Sequence, residues 1–105
     1  MLTDEVDQHF RSLNRNTVVL YGIEAHICIK QTALELLARD INVFVVVDAC
    51  TSIQTQDKNV GIASMRDAGV KVTTFQSVLF DLMKGVDHPK FKKFLPILKN
   101  NPDPA

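Results

Sequence analysis

The stretch VVLYGIEAHICIKQTALELL, residues 18–37, decides the architecture. An apolar run ends at Gly22, four mixed residues follow, and a helical pattern takes over with Cys28 near its start. Residues 17–22 predict a strand whose apolar side chains fall on both faces, as in an inner strand of a parallel sheet. From about Ala25 to Arg39, Ile29, Ala33, Leu36 and Leu37 share one face, and Lys30, Gln31 and Glu35 share the other. That spacing predicts an amphipathic helix.

Working outward, Leu2, Val6, Phe10 and Leu13 make one apolar stripe, which predicts a helix over 3–13. Thr3 or Asp4 can cap it, and Asn14 to Asn16 break it. Asn42 to Val47 is the most hydrophobic stretch and predicts a second buried strand, with Asp48 at its carboxyl end. A polar loop, TSIQTQD, leads to a helix over about 57–68, and Gly69 suits the left-handed position after it. A short strand, 70–73, precedes Thr74, which can cap a helix over 76–84. Val78, Leu79, Leu82 and Met83 pack inward from that helix, and Gly85 ends it. The remainder, VDHPKFKKFLPILKNNPDPA, predicts a short helical extension and a frayed tail over 100–105.

Strands alternating with helices imply βαβ units and a parallel sheet. Right-handed crossovers place the three strands side by side in chain order. Strand 17–22 then has a neighbour on one side only, and its bare edge invites pairing with something else.

Composition bounds the function. One domain fits 105 residues, with 46% hydrophobic and 23% charged residues as in a globular chain. Twelve basic residues balance twelve acidic ones, so no global field attracts nucleic acid or an anionic membrane. Lys90, Lys92 and Lys93, interrupted by Phe91, read as the solvated face of a short helix. The apolar run 43–47 is far short of the roughly 20 residues that span a bilayer. MLTDEVDQ is acidic where a targeting peptide is basic, so a cytoplasmic location is expected. Cys28 and Cys50 make neither a disulfide framework nor a CxxC motif, and His9, His26 and His88 are scattered. Neither a metal nor a cofactor is expected. The four glycines are too dispersed for a phosphate-binding loop.

In open α/β sheets, sites form beyond the carboxyl ends of the strands, where GIEAHIC, Asp48 and Thr73-Thr74 gather. Cys28 falls in the first turn of its helix, where free N–H groups and the helix dipole favour thiolate, the nucleophilic form. The same N–H groups can hold an oxyanion. Position alone favours a small apolar filler, because cysteine is among the most buried residue types and strand-to-helix geometry is common. His26 is two residues from Cys28 and does not face it on a helix, which places it at the rim. Cys50 reads as a packing thiol. Asp48 either supports a site or bonds nearby backbone N–H groups.

The stretch GIEAHICIKQTALELLARDINVFVVVDACTS resembles the cysteine-bearing core of the isochorismatase-like hydrolases. The family pattern, roughly G-[IV]-x-[AT]-x-x-C-[IV] followed by a helix and a strand ending V-D-A, reads here as Gly22, Ile23, Ala25, Cys28 and Ile29, then Val47, Asp48 and Ala49. MRDAGVKVTTFQSVLFDLM is similar to the family's last strand and helix, and VDHPKFKKFLPILK to the eukaryotic isochorismatase domain-containing proteins. The resemblance implies a three-layer α/β/α, Rossmann-like fold, here with about three strands and four to five helices. It implies an Asp, Lys and Cys triad in which Cys28 is the nucleophile. It also implies a cis peptide between Ile23 and Glu24 that aims the backbone N–H groups of Glu24 and Cys28 at a substrate carbonyl.

No Asp or Lys of this chain matches the family's other two triad members. They belong to earlier strands, before a phrase to whose methionine Met1 corresponds. The chain is therefore expected to be the C-terminal part of the domain. A second departure is TSIQTQ, where relatives often carry an Arg after the serine. The resemblance implies hydrolysis of carbon–nitrogen bonds in small amides, impaired here. The alternative is a non-catalytic truncated form. Expected partners are a small-molecule substrate and either further copies of the chain or a full-length relative, with neither nucleic acid nor membrane.

Overall fold

The computed structural model describes residues 2–84, 87 and 89–99. Met1, Gly85, His88 and the tail over 100–105 lie outside the described residues. Chain order gives α1 (Asp4–Leu13), β1 (Thr17–Gly22), a π-helical turn (Ala25–Ile29), α2 (Lys30–Leu37), β2 (Asn42–Cys50), α3 (Thr55–Ala68), β3 (Lys71–Thr73), α4 (Phe75–Met83) and α5 (Phe91–Lys99). All three strands run parallel, in the order β1-β2-β3. This is the expected α/β class, and the central strand is the most hydrophobic one.

Alternation along the strands sorts their side chains into two layers. Val43 and Val45, with Val18 and Leu20 beside them, join Ala33 and Leu36 of α2 and Ile62 and Met65 of α3 in the main core. Leu36, Met65, Val43 and Val45 are its largest fully buried side chains. Each contributes about 1.5–3 kcal/mol by leaving water. On the opposite face, Thr17, Val19 and Phe44 meet Val78 and Leu82 of α4 around a shallow, almost wholly apolar hollow. The helices therefore sandwich the sheet.

Local chemistry sets the element ends. Thr3 caps α1 by accepting the Val6 N–H at 3.2 Å, and Asp4, Glu5 and Asp7 in the first turn suit the helix dipole. Asp7 pairs with Arg39 just beyond α2, and the Leu2 N–H donates to Glu35 Oε2 at 3.1 Å. Both tie α1 to the body. Thr74 caps α4 through the Ser77 N–H, as its position suggests. Phe80 of α4 and Phe91 of α5 place their ring centroids 6.0 Å apart, which seats the C-terminal helix.

Several features differ from expectation. β2 continues past Val47 to Cys50, because Cys50 still pairs with Gly22 after a break in register between Leu20 and Gly22. α3 begins at Thr55, two residues early, with Gln54 providing no side-chain cap. β1 is not covered on both faces: half-buried and exposed positions alternate along it, and Val19 and Tyr21 are 40% and 70% exposed. β2 is its neighbour on one side, and no described strand lies on the other.

Candidate functional site

The junction between β1 and α2 is made by backbone. Gly22 has φ +126°, a conformation that L side chains rarely adopt, and the chain turns sharply away from the sheet there. The Ile23–Glu24 peptide bond is cis. Five residues, Ala25 to Ile29, then form a π-helical turn before α-helical geometry begins at Lys30. The Glu24 carbonyl accepts from the N–H groups of both Ile27 and Ile29, at 3.1 and 3.2 Å. Ala25 and Ile29 face the core and are buried. Cys28 is exposed.

A second segment is laced to this turn. The Ala25 N–H donates to Thr51 O at 2.9 Å, and the Thr51 N–H donates to Gly22 O at 3.2 Å. The Ile53 N–H donates to the Glu24 carboxylate at 3.2 Å. Loop 51–54 is thereby the wall against which the cysteine turn rests. Its polar sequence gave no hint of that role, because on the loop side each of these bonds is made by main chain, to residues far away in the chain.

The other site candidates have partners of their own. Cys50 sits in the main core, and burial pushes its thiol pKa up, against a smaller opposing effect of a hydrogen bond with the Gly22 backbone. Asp48 accepts the Phe75 N–H at 2.8 Å and so secures the start of α4 across the strand ends. His26, expected at the rim, is three-quarters enclosed, and its Nδ1 lies 2.8 Å from Ser52 Oγ. Sequence reasoning missed that contact. The signal that could have found it is Gly61 in the middle of α3, a residue that usually marks close approach when it sits inside a helix. No described group of three or more His, Cys, Asp or Glu residues could hold a metal ion. No described helix is long and apolar enough to cross a membrane.

The Isochorismatase domain family model matches residues 1–77. This chain belongs to the isochorismatase-like hydrolase family. Isochorismatase domain-containing protein 2 of Xenopus laevis is 40% identical over 99 residues, which is 93% of this chain and 48% of that protein. Among solved structures, MAR1 ribonuclease from Caenorhabditis elegans is 38% identical with a TM-score of 0.88, over 98% of this chain and 53% of that one. The YcaC gene product of Escherichia coli, an octameric hydrolase of unknown specificity, is 16% identical with a TM-score of 0.77, over 92% and 54%, and so shares the fold. The chain spans about half the length, or less, of the curated relatives it matches.

Proposed function

We propose that Cys28 is the nucleophile of a hydrolase acting on carbon–nitrogen bonds in small amides. The observation that carries this reading is an exposed thiol on a fixed turn immediately beyond a strand end, in an isochorismatase-like chain. Sγ attacks the amide carbon, and the carbonyl electrons move onto oxygen. The backbone N–H groups of Glu24 and Cys28 receive that oxyanion. As it collapses, the carbon–nitrogen bond breaks and the nitrogen leaves with the proton that the Cys28 thiol gave up on attack. Water then hydrolyses the thioester and restores the thiol. Asp48, bound to the start of α4, supports the strand-end floor.

No Asp or Lys in this chain takes the places of the family's acid–base partners. General acid–base assistance is worth roughly 10²–10⁴ in rate, so the chain alone turns over slowly. Such chemistry suits the cytoplasm, where both cysteines stay reduced. The C. elegans relative is named for cleaving RNA, but twelve basic against twelve acidic residues give this chain no net field for a polyanion. The test is ammonia release from a panel of small primary amides. Slow release that disappears in Cys28→Ser supports the reading; release that survives the substitution overturns it.

A second reading is favoured by β1, which ends the described sheet beside the apolar hollow of Thr17, Val19, Phe44, Val78 and Leu82. There the chain acts as a truncated form that associates through this flank with a full-length relative or with further copies of itself. Addition of a full-length relative that restores amide hydrolysis through Cys28 would join the two readings.

A further inference from the structure

Four polar side chains converge beside the cysteine turn. His26 Nδ1 lies 2.8 Å from Ser52 Oγ and 3.8 Å from Glu24 Oε2, and its Nε2 lies 3.8 Å from Asp57 Oδ2. These residues come from three separate segments: the cysteine turn, loop 51–54 and the first turn of α3. The imidazole is 25% exposed, so its bond to Ser52 is largely sheltered from competing water. The backbone is fitted to the same point. A side chain on Gly61 of α3 would stand 2.8 Å from His26 Cα, so α3 can press against the turn only where it has no Cβ.

We propose that His26 and Ser52 are positioning residues, which lock the cysteine turn against loop 51–54 and so fix the aim of Cys28. The proposal rests on Cys28 being the nucleophile. His26 is not the base in this arrangement. Its two ring nitrogens are directed at Ser52 and Asp57, and its spacing from Cys28 turns the two side chains to different sides. What His26 does for the thiol is mechanical: its ring meets side chains of two other segments, Ser52 of loop 51–54 and Asp57 of α3, and so ties both to the one turn that carries Cys28. The Glu24 carboxylate works on the same side, since it reaches both the ring and the Ile53 N–H.

The test uses the whole chain and two readouts. One is hydrogen exchange of the Ile27 and Ile29 amides, both bound to Glu24 O, against that of the β2 amides. The other is the rate of acrylamide addition to Cys28 in the folded protein. Ser52→Ala is expected to speed exchange at Ile27 and Ile29 roughly three- to tenfold, the size of one hydrogen bond's net contribution. It leaves β2 exchange unchanged and slows acrylamide addition by a similar factor. Ser52→Thr, which keeps the hydroxyl, restores both. His26→Ala gives changes at least as large, because it also removes the contact with Asp57, and adding Ser52→Ala to it gives nothing further. Parental exchange at the turn in Ser52→Ala overturns the lock, and faster exchange with parental labelling overturns its role toward Cys28. If folded parent labels no faster than unfolded chain, the nucleophile reading fails, and exchange still decides whether the lock exists.

Discussion

A Cβ built on Gly61 stands 2.8 Å from Cα and Cβ of His26. Two effects of Gly61→Ala therefore oppose each other. Alanine in a helix interior gains about 1 kcal/mol over glycine. Pressing a methyl group into neighbouring backbone costs roughly 1–3 kcal/mol. The contact is with main chain that loop 51–54 also holds, so it cannot swing aside as a flexible side chain would. Gly61→Ala is expected to lower the denaturation midpoint in urea; an increase would show that α3 and the cysteine turn can separate without loss.

Cys28 and Cys50 should be separable by reagent alone. Cys28 is exposed and Cys50 is 4% exposed in the core. A thiol reagent added to the folded chain is expected to modify Cys28 quickly and Cys50 only as fast as the protein opens. Peptide mapping of the modified protein checks the order.

The raised pKa of Cys50 adds a pH dependence with a definite sign. Burial disfavours its thiolate in the folded state, so the unfolded chain loses that proton first as pH rises. The associated stability is complete below the ordinary thiol range and declines above it. Cys50→Ala is expected to remove this alkaline decline while lowering stability at neutral pH through lost packing. Thermal melts from neutral to alkaline pH distinguish the two effects.

Most of the fold was legible because its signals are local. The β-branched run of β2, the stripe of α2 and the caps of α1 and α4 act on neighbours within a few residues. The opening stretch misled in two respects. Apolar residues on both faces of β1 imply a strand covered on both sides, whereas Val19 and Tyr21 are exposed and β1 ends the described sheet. The start of α2 is a π-helical turn, a change of hydrogen-bond register that side-chain periodicity does not encode. Of the candidate site, the cysteine turn was legible from its motif. The bonds of Thr51, Ser52 and Ile53 to it were not, because they depend on where β2 ends in space.

Asp7 lies between Arg39 and Arg11, at the contact of α1 with the end of α2. The hydrogen bond from Arg39 holds its carboxyl below the usual carboxylate range, with Arg11 assisting and partial desolvation opposing. A depressed folded-state pKa means stability that is present above the ordinary carboxylate range and fades as pH falls through and below it. Asp7→Asn is expected to flatten the acid side of a stability–pH profile and leave the alkaline side unchanged. Denaturation midpoints followed from neutral pH down through the carboxylate range and below it provide the check, and an unchanged acid slope would overturn the role given to Asp7.

The flank of β1 makes the last prediction. Its outer neighbour position is vacant among the described residues, and Val19, 40% exposed, forms part of the apolar hollow against α4. A strand edge beside apolar surface pairs readily with another chain, and a lysine there is a common natural deterrent. The unmodified chain is expected to sediment as a species larger than one copy, or to bind a full-length relative. Val19→Lys should shift it toward a single copy and abolish that binding. The substituted side chain lies on the α4 face rather than in the main core of Val43, Val45 and Leu36, so the fold itself should persist. Analytical ultracentrifugation and circular dichroism on the same samples separate loss of association from loss of structure. A single-copy parent that binds no relative and unfolds cooperatively would remove this flank from the account of function and leave Cys28 to be judged alone.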